Sequence, residues 1–394
     1  MTGHEPPTQT EVVKLPRRRF MCDVVTAATA ACLPSSLLFG CQQSLPGSTA
    51  STSSNADTME QALEMMSKLA PLTNHGPMAA EALVALGRAD AVVSWVEGYK
   101  KRFRSSYPEA RQPLTRENWR AALGDGSRVA DWTDFFNREL KETAWAKVLE
   151  QWSAVLAPGM AAAAAHGLIR TAHAVRSLSR QETDLRRREL AEGLSYWAAY
   201  YQPLPEAQSA QVGKLKPAQA INQIPLLPTE KRRGGSLMNA LRSLDDFPPF
   251  ASAAHLIETT GDAGKFLSEM TETFTTAYVK NVNQRNLIAL IHTVTGTTAL
   301  RSLLPYLSPA TTQSALRYGW QVAAALYSIS GTGSTNRLPE AKEIMRDDLI
   351  DRAVASQDEH AIKFTEACLR EYQINAQPIY LHAALDAVER IGPA

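Results

Sequence analysis

The chain has 394 residues, of which 44% are hydrophobic, 21% charged and 7% aromatic, enough apolar material for one or two packed domains and too much for a disordered chain. Lysine and arginine (41) nearly balance aspartate and glutamate (40), so no strong field draws the protein to nucleic acid or an anionic membrane surface. Four cysteines without a C-x-x-C pair exclude a disulfide framework and a thiolate zinc site.

In chain order, the first element is an address rather than a fold. Arg17, Arg18 and Arg19, then Phe20 and Met21, precede a short apolar run from Val24 to Gly40, the only long apolar stretch that composition picks out. The order matches a twin-arginine export signal, which passes folded proteins across the bacterial inner membrane. The run ends in Leu38, Phe39, Gly40 and Cys41, which resembles a lipobox, so residues 1–40 read as a lipoprotein signal peptide and Cys41 as the site of lipid attachment. An uncleaved membrane span is the alternative, at the short limit of length. The expected location is the periplasmic side of a bacterial membrane. Cleavage leaves 37 basic and 37 acidic residues, with Cys41 and Cys368 as the only cysteines. Residues 41–57 are rich in Ser, Thr, Gly and Ala and read as a flexible tether of roughly 20 Å span. The folded domain is then expected from Thr58 to Ala394.

From Thr58 onward apolar residues recur at helical spacing, in Met59–Ala70, Pro77–Leu86, Trp132–Leu156 and Met160–Leu178, and no stretch reads as a convincing strand. Pro77 suits a first helical turn, Gly87 a C-terminal stop, and Thr115 with Glu117 and Asn118 a capped start before Trp119. The expected class is therefore all-α, a single large bundle-like domain. Gln202–Gly235, with its prolines and a Lys-Arg-Arg run, is too long for an ordinary helix connection and reads as a lid or a linker between halves. Ser330–Asn336 reads as a second loop. Arg186–Arg188 and Lys231–Arg233 read as solvated basic runs. No G-x-G-x-x-G follows a strand, and there is no P-loop, H-E-x-x-H or G-x-S-x-G, so no flavin, nicotinamide, nucleotide or familiar hydrolase site is evident.

Seven histidines remain after residue 40: His75, His166, His173, His255, His292, His360 and His382. Several lie in apolar helical stretches, where a solitary imidazole needs a buried partner. His166, Arg170 and His173 fall within about 60° on one helix, and His360 and Lys363 share a face of another. Imidazoles converging in a helical bundle build transition-metal sites. A lysine beside them is electrostatically awkward unless a desolvated, neutral amine adds carbon dioxide and becomes an anionic carbamate. On spacing alone, Lys363 reads instead as a solvent-facing ion pair with Glu359 or Glu366.

The blocks NHGPMAAEALVALG, LAPGMAAAAAHGLIRTAHAV, LIHTVTGTTALRSLLPYL, DEHAIKFTEA and PIYLHAALDAV, in that order, resemble the questin oxidase-like family over most of residues 70–390. Fungal members of that family are oxygenases that open the quinone ring of anthraquinones or insert oxygen in a Baeyer-Villiger manner. The resemblance implies a non-heme iron, or another first-row divalent ion, held by His75, His166, His292 and His360 with a carboxylated Lys363, leaving one octahedral position for dioxygen or substrate. Where fungal relatives carry a second histidine four residues after the first, this chain has Arg170, which leaves His173 as an alternative ligand to His166. Arg170 and His382 become candidates for binding or deprotonating a phenolic substrate. The function expected is oxygenation of a phenol or quinone-like ring; the second reading is a non-catalytic helical envelope lipoprotein that serves as a binding scaffold.

Overall fold

The computed structural model describes residues 49–67, 69, 75–102, 109–207, 213–334 and 343–393, with side chains from Thr58 onward. The signal peptide, the Cys41 anchor and residues 41–48 of the expected tether lie outside the described residues. Helices dominate: α1 (Thr49–Met66), α2 (Gly76–Ala85), α3 (Ala89–Lys100), α4 (Val129–Glu142), α5 (Trp145–Leu156), α6 (His166–Arg180), α7 (Asp184–Ala199), α8 (Pro217–Ala220) and α9 (Leu237–Arg242). They continue with α10 (Ala263–Asn281), α11 (Leu287–Leu303), α12 (Pro309–Ser330), α13 (Arg346–Ala355), α14 (Glu359–Ile374) and α15 (Ile379–Ile391). Among the described residues extended pairing is limited to two isolated bridges, Met160 with Gln202 and Leu215 with Ile257. The fold is all-α.

Four helices build the centre. α2 packs on α6, α6 on α11, α11 on α14, and α14 back on α2, which closes a ring. α7, with α4 behind it, covers the outside of α6; α10 and α12 cover α11; α15 covers α14; and α1 and α3 cover α2. The central helices approach closely because the residues between them are small. Ala79, Ala80 and Ala82 of α2 are fully buried. At Gly167, a Cβ would stand 2.6 Å from the Cα of Trp197, so α6 and α7 cross at a distance that only glycine permits. α11 buries four threonines, Thr293, Thr295, Thr297 and Thr298, whose hydroxyls donate to carbonyls three or four residues back and so carry no unsatisfied donor into the core.

Punctuation by Pro77 and Gly87 holds: Pro77 stands in the first turn of α2, and Gly87, at φ 82°, lets the amide of Arg88 donate to the Leu83 carbonyl. Several boundaries differ from the sequence reading. α1 begins at Thr49, nine residues before the expected start, because a turn anchored by buried Met59, Ala62, Leu63 and Met66 extends at little further entropic loss. Trp132–Leu156 is not one helix but α4 and α5, parted by extended backbone at Thr143 and Ala144. Gln202–Gly235 does not link two halves, since residues 48–394 form one unit. Its described part runs along α12: Leu227 N–H donates to Ser328 O, Ser328 Oγ to Pro225 O, and Gln321 Nε2 to Pro205 O. Of the second loop, Ser330 ends α12, residues 331–334 follow it, and the rest lie outside the described residues. The basic run Arg186–Arg188 is solvated only in part: Arg187 and Arg188 reach solvent, but Arg186 is buried, with Nε on Glu60 and a second nitrogen on Ser177 O. The N-terminal stretch is also not the only apolar one. Leu287–Tyr306 is long and apolar enough to cross a membrane, but 78% of it is buried in the bundle, as a core helix is.

Candidate metal centre

Each helix of the central ring delivers one imidazole to a common point. His75 is the residue before the first turn of α2, His166 opens α6, His292 sits in the middle of α11, and His360 lies in the first turn of α14. The rings touch in the same cyclic order as their helices, with centroids 4.6 Å apart for His75 and His166, 4.6 Å for His166 and His292, 5.6 Å for His292 and His360, and 4.9 Å for His360 and His75. Side-chain nitrogens of His75, His166 and His360 all lie within 4.8 Å of one another, and His292 Nε2 is 3.2 Å from His166 Nε2.

Local backbone structure sets each ring. The Ala-rich run before His166 has the composition of a helix, yet Ala163, Ala164 and Ala165 all have positive φ (49°, 58° and 72°) and form a left-handed turn. Such a conformation is strained for alanine by about 1–2 kcal/mol per residue. It turns the Ala163 carbonyl onto His166 Nδ1 at 2.6 Å. The helical reading of Met160–Leu178 therefore fails over its first six residues, at the point where strain aims a site residue. His292 Nδ1 is fixed by the Ile288 carbonyl, also at 2.6 Å. At α14, Gln357 takes φ 51°, its carbonyl accepts from Trp95 Nε1, and Asp358 caps the helix by accepting from the His360 and Ala361 amides. The His75 amide donates to the Tyr99 hydroxyl at 2.6 Å.

A carbonyl can only accept, so the Nδ1 atoms of His166 and His292 carry the protons and their Nε2 atoms are lone pairs. Burial, reinforced by Lys363, pushes His166 down to about 3; burial and the neighbouring His166 and His360 hold His292 well below the ordinary range. Both rings are neutral at pH 7, and two lone pairs face each other at 3.2 Å with no hydrogen between them. A shared cation satisfies that arrangement: nitrogen–metal bonds of roughly 2.0–2.1 Å place neighbouring ligands about 3 Å apart. His75 is likewise pushed down by burial and by Lys363.

Lys363 is not solvent-facing. It is 3% exposed, its Nζ lies 3.4 Å from His75 Nδ1, and burial brings its pKa down to about 8 against the opposing pull of Glu359 and Asp358. The ion-pair reading fails because α14 turns this residue into the ring of helices. Glu366 pairs elsewhere, and Glu359 stands at the rim, one oxygen 3.6 Å from His75 Nδ1 and the other 2.7 Å from Arg102. The centre is closed at Lys363 and His292 and more open at His360, Asp358 and Arg102.

Among the remaining sequence candidates, His173 does not join the cluster: its Nδ1 lies 2.8 Å from Glu81, so His166 is the residue that converges. Arg170 is committed elsewhere, donating to both oxygens of Glu189 and to Glu192 across the interface of α6 and α7. His382 is carried by α15, which packs chiefly on α14, α10 and α13, outside the ring. Tyr196 and Trp197 are core. Sequence reading missed Tyr99, Glu359 as a neighbour of His75, and the left-handed turn; only the Asp358 cap had a local signal, in DEHAIK.

These features define a class: an all-α protein with a buried four-imidazole centre and a desolvated lysine at its wall. A family model described as Questin oxidase-like matches residues 72–368, and the chain belongs to the questin oxidase-like family. That span contains all four converging histidines and Lys363 and stops short of His382. Membership makes the chain a protein of an oxidase and oxygenase family acting on aromatic compounds. A search of curated proteins gave no match.

Proposed function

We propose that the protein is a metal-dependent oxygenase, with non-heme iron held by His75, His166, His292 and His360 and by a carboxylated Lys363, acting on a phenol or quinone-like ring. The observation that carries this reading is the pair of opposed Nε2 lone pairs of His166 and His292 within a closed ring of four imidazoles. The donor set fits: four neutral nitrogens suit a first-row divalent ion, and a carbamate turns the one repulsive neighbour into an oxygen donor. Iron bound there supplies the activation of dioxygen that oxidation of an aromatic ring requires.

The chain's own residues supply the rest. The Ala163 and Ile288 carbonyls fix ring tautomers before anything binds, which is the preorganisation a metal site needs. The Thr-rich face of α11 and the alanines of α2 exclude water from the inner wall. A substrate enters over His360, where Asp358 stands beside the His360 ring and Glu359 pairs with the Arg102 guanidinium. We further propose that the export signal and a lipid on Cys41 hold the domain at the periplasmic side of the membrane. A Cys41→Ala change is expected to move the protein from the membrane to the soluble fraction.

Metal content of protein exported by its native route tests the central reading. One equivalent of iron or manganese is expected in the wild type, with at least a tenfold loss in His292→Ala or His360→Ala at unchanged helix content. Oxygen consumption over a panel of phenols and quinones should fall in step. Stoichiometrically metal-free wild type would leave the scaffold reading in its place.

A further inference from the structure

We propose that Glu359 is a positioning residue of the metal centre, acting on the ion through His75; the inference deepens the metal-site reading above and rests on it. Among the described residues, His75 is the imidazole whose Nδ1 has neither a backbone carbonyl nor a capping carboxylate to fix it. His166 and His292 are tied to Ala163 O and Ile288 O, and His360 Nδ1 lies 3.4 Å from Asp358, which is already the α14 cap. At His75 two side chains of opposite demand flank Nδ1: Lys363 Nζ at 3.4 Å and Glu359 Oε1 at 3.6 Å. They are one turn apart on α14 and present their heads to the same atom.

The demands exclude one another. A lysine N–H donating into Nδ1 leaves the ring proton on Nε2, where it blocks coordination. A carboxylate accepting from Nδ1–H leaves Nε2 as the lone pair available to a metal, the arrangement that recurs where carboxylates orient metal-bound histidines. Closing the 3.6 Å gap to a charge-assisted bond of roughly 2.8 Å requires less than about 1 Å of side-chain movement.

Glu359 is itself held for this task. Its second oxygen accepts from Arg102 at 2.7 Å, the Arg102 guanidinium lies over the Tyr99 ring at 4.6 Å, and the Tyr99 hydroxyl accepts from the His75 amide. Tyr99, Arg102 and Glu359 thus form a circuit that leaves His75 by its backbone and returns to it by its side chain. The Glu359 side chain is 13% exposed, so its pull on the imidazole is little screened.

The test uses the full-length protein stripped of metal with a chelator and titrated with Co2+, read by calorimetry and by the visible bands of the bound ion. Glu359→Ala is expected to weaken Co2+ binding about 10–100-fold with band positions unchanged. Glu359→Gln, which keeps an acceptor oxygen, should recover part of that loss, and Arg102→Met should lose only a few-fold. In a His75→Ala background, Glu359→Ala should have no further effect. Wild-type affinity in Glu359→Ala, an equal loss with and without His75, or shifted bands that mark Glu359 as a direct ligand would each overturn the proposal while leaving the metal site standing. A wild-type protein that takes up no Co2+ would overturn both.

Discussion

Two clusters of titratable side chains lie on the same three helices, α2, α6 and α14, and their wiring is opposite. One joins Glu81 of α2 to His173, Arg176 and Arg180 of α6 and to Glu366 and Arg370 of α14. Burial alone would raise Glu81, but Arg176 and His173 overcome it and hold the carboxyl below the usual range. Every carboxylate there has its cation. The other cluster, His75, His166, His360 and Lys363 with His292 from α11, sets the Nε2 lone pairs of His166 and His292 against each other and buries a lysine beside His75, His166 and His292, which burial keeps from protonating. The first is a clasp that sets the spacing of three helices. The second is frustrated without a ligand, and it is the second that the clasp positions. Buried polarity alone does not separate structure from function; satisfaction of that polarity does.

The largest effect should come from the clasp. Arg176→Met leaves Glu81 and Glu366 buried with too little positive charge, and an unfolding free energy lower by about 3–5 kcal/mol is expected from denaturant titration. Metal retention should fall with it, since the three helices that carry proposed ligands lose their spacer. A stable Arg176→Met protein would remove the contrast between the two clusters.

A smaller effect separates the clusters by pH. In metal-free protein Lys363 has a folded pKa of about 8, below the ordinary value near 10.5, so between these values the unfolded chain binds more protons than the native one. Stability therefore rises as pH increases from about 8 to 10.5, by on the order of 1–3 kcal/mol, and the burial penalty is fully present below 8. Lys363→Met should abolish that rise and stabilise the metal-free protein at pH 7, while removing activity. Denaturation at pH 7 and pH 10 for both proteins checks the sign; an unchanged slope in the variant would assign the effect elsewhere.

The smallest effect sharpens the contrast within the metal centre. Ala164→Gly relaxes a left-handed residue at φ 58° and should stabilise the metal-free protein by under about 1 kcal/mol, net of the lost methyl. Metal affinity should fall a few-fold as the Ala163 carbonyl loosens its hold on His166. Thermal melts should therefore show a gain without metal that shrinks or vanishes when metal is bound.

Much of the architecture was legible in local order. Helical spacing gave the all-α class; Pro77 and Gly87 gave the bounds of α2. The four histidines and Lys363 could be named because the blocks that contain them resemble one family, not because spacing identified ligands. Spacing alone misplaced Lys363 and left His166 and His173 undecided, since both face inward from α6 and only the neighbouring helix differs: His292 for one, Glu81 for the other.

What the sequence by itself determined is the set of elements and the chemistry they carry, because periodicity and capping act between residues a few positions apart. Tertiary structure alone decided which imidazoles meet, that Arg170 pairs with Glu189 and Glu192, and that the last three of five consecutive alanines form a left-handed turn. Those outcomes depend on which helix faces are pressed together. The alanine turn is the plainest case: its intrinsic preference is helical, and the packing of α6 against α7 and α11 overrides it.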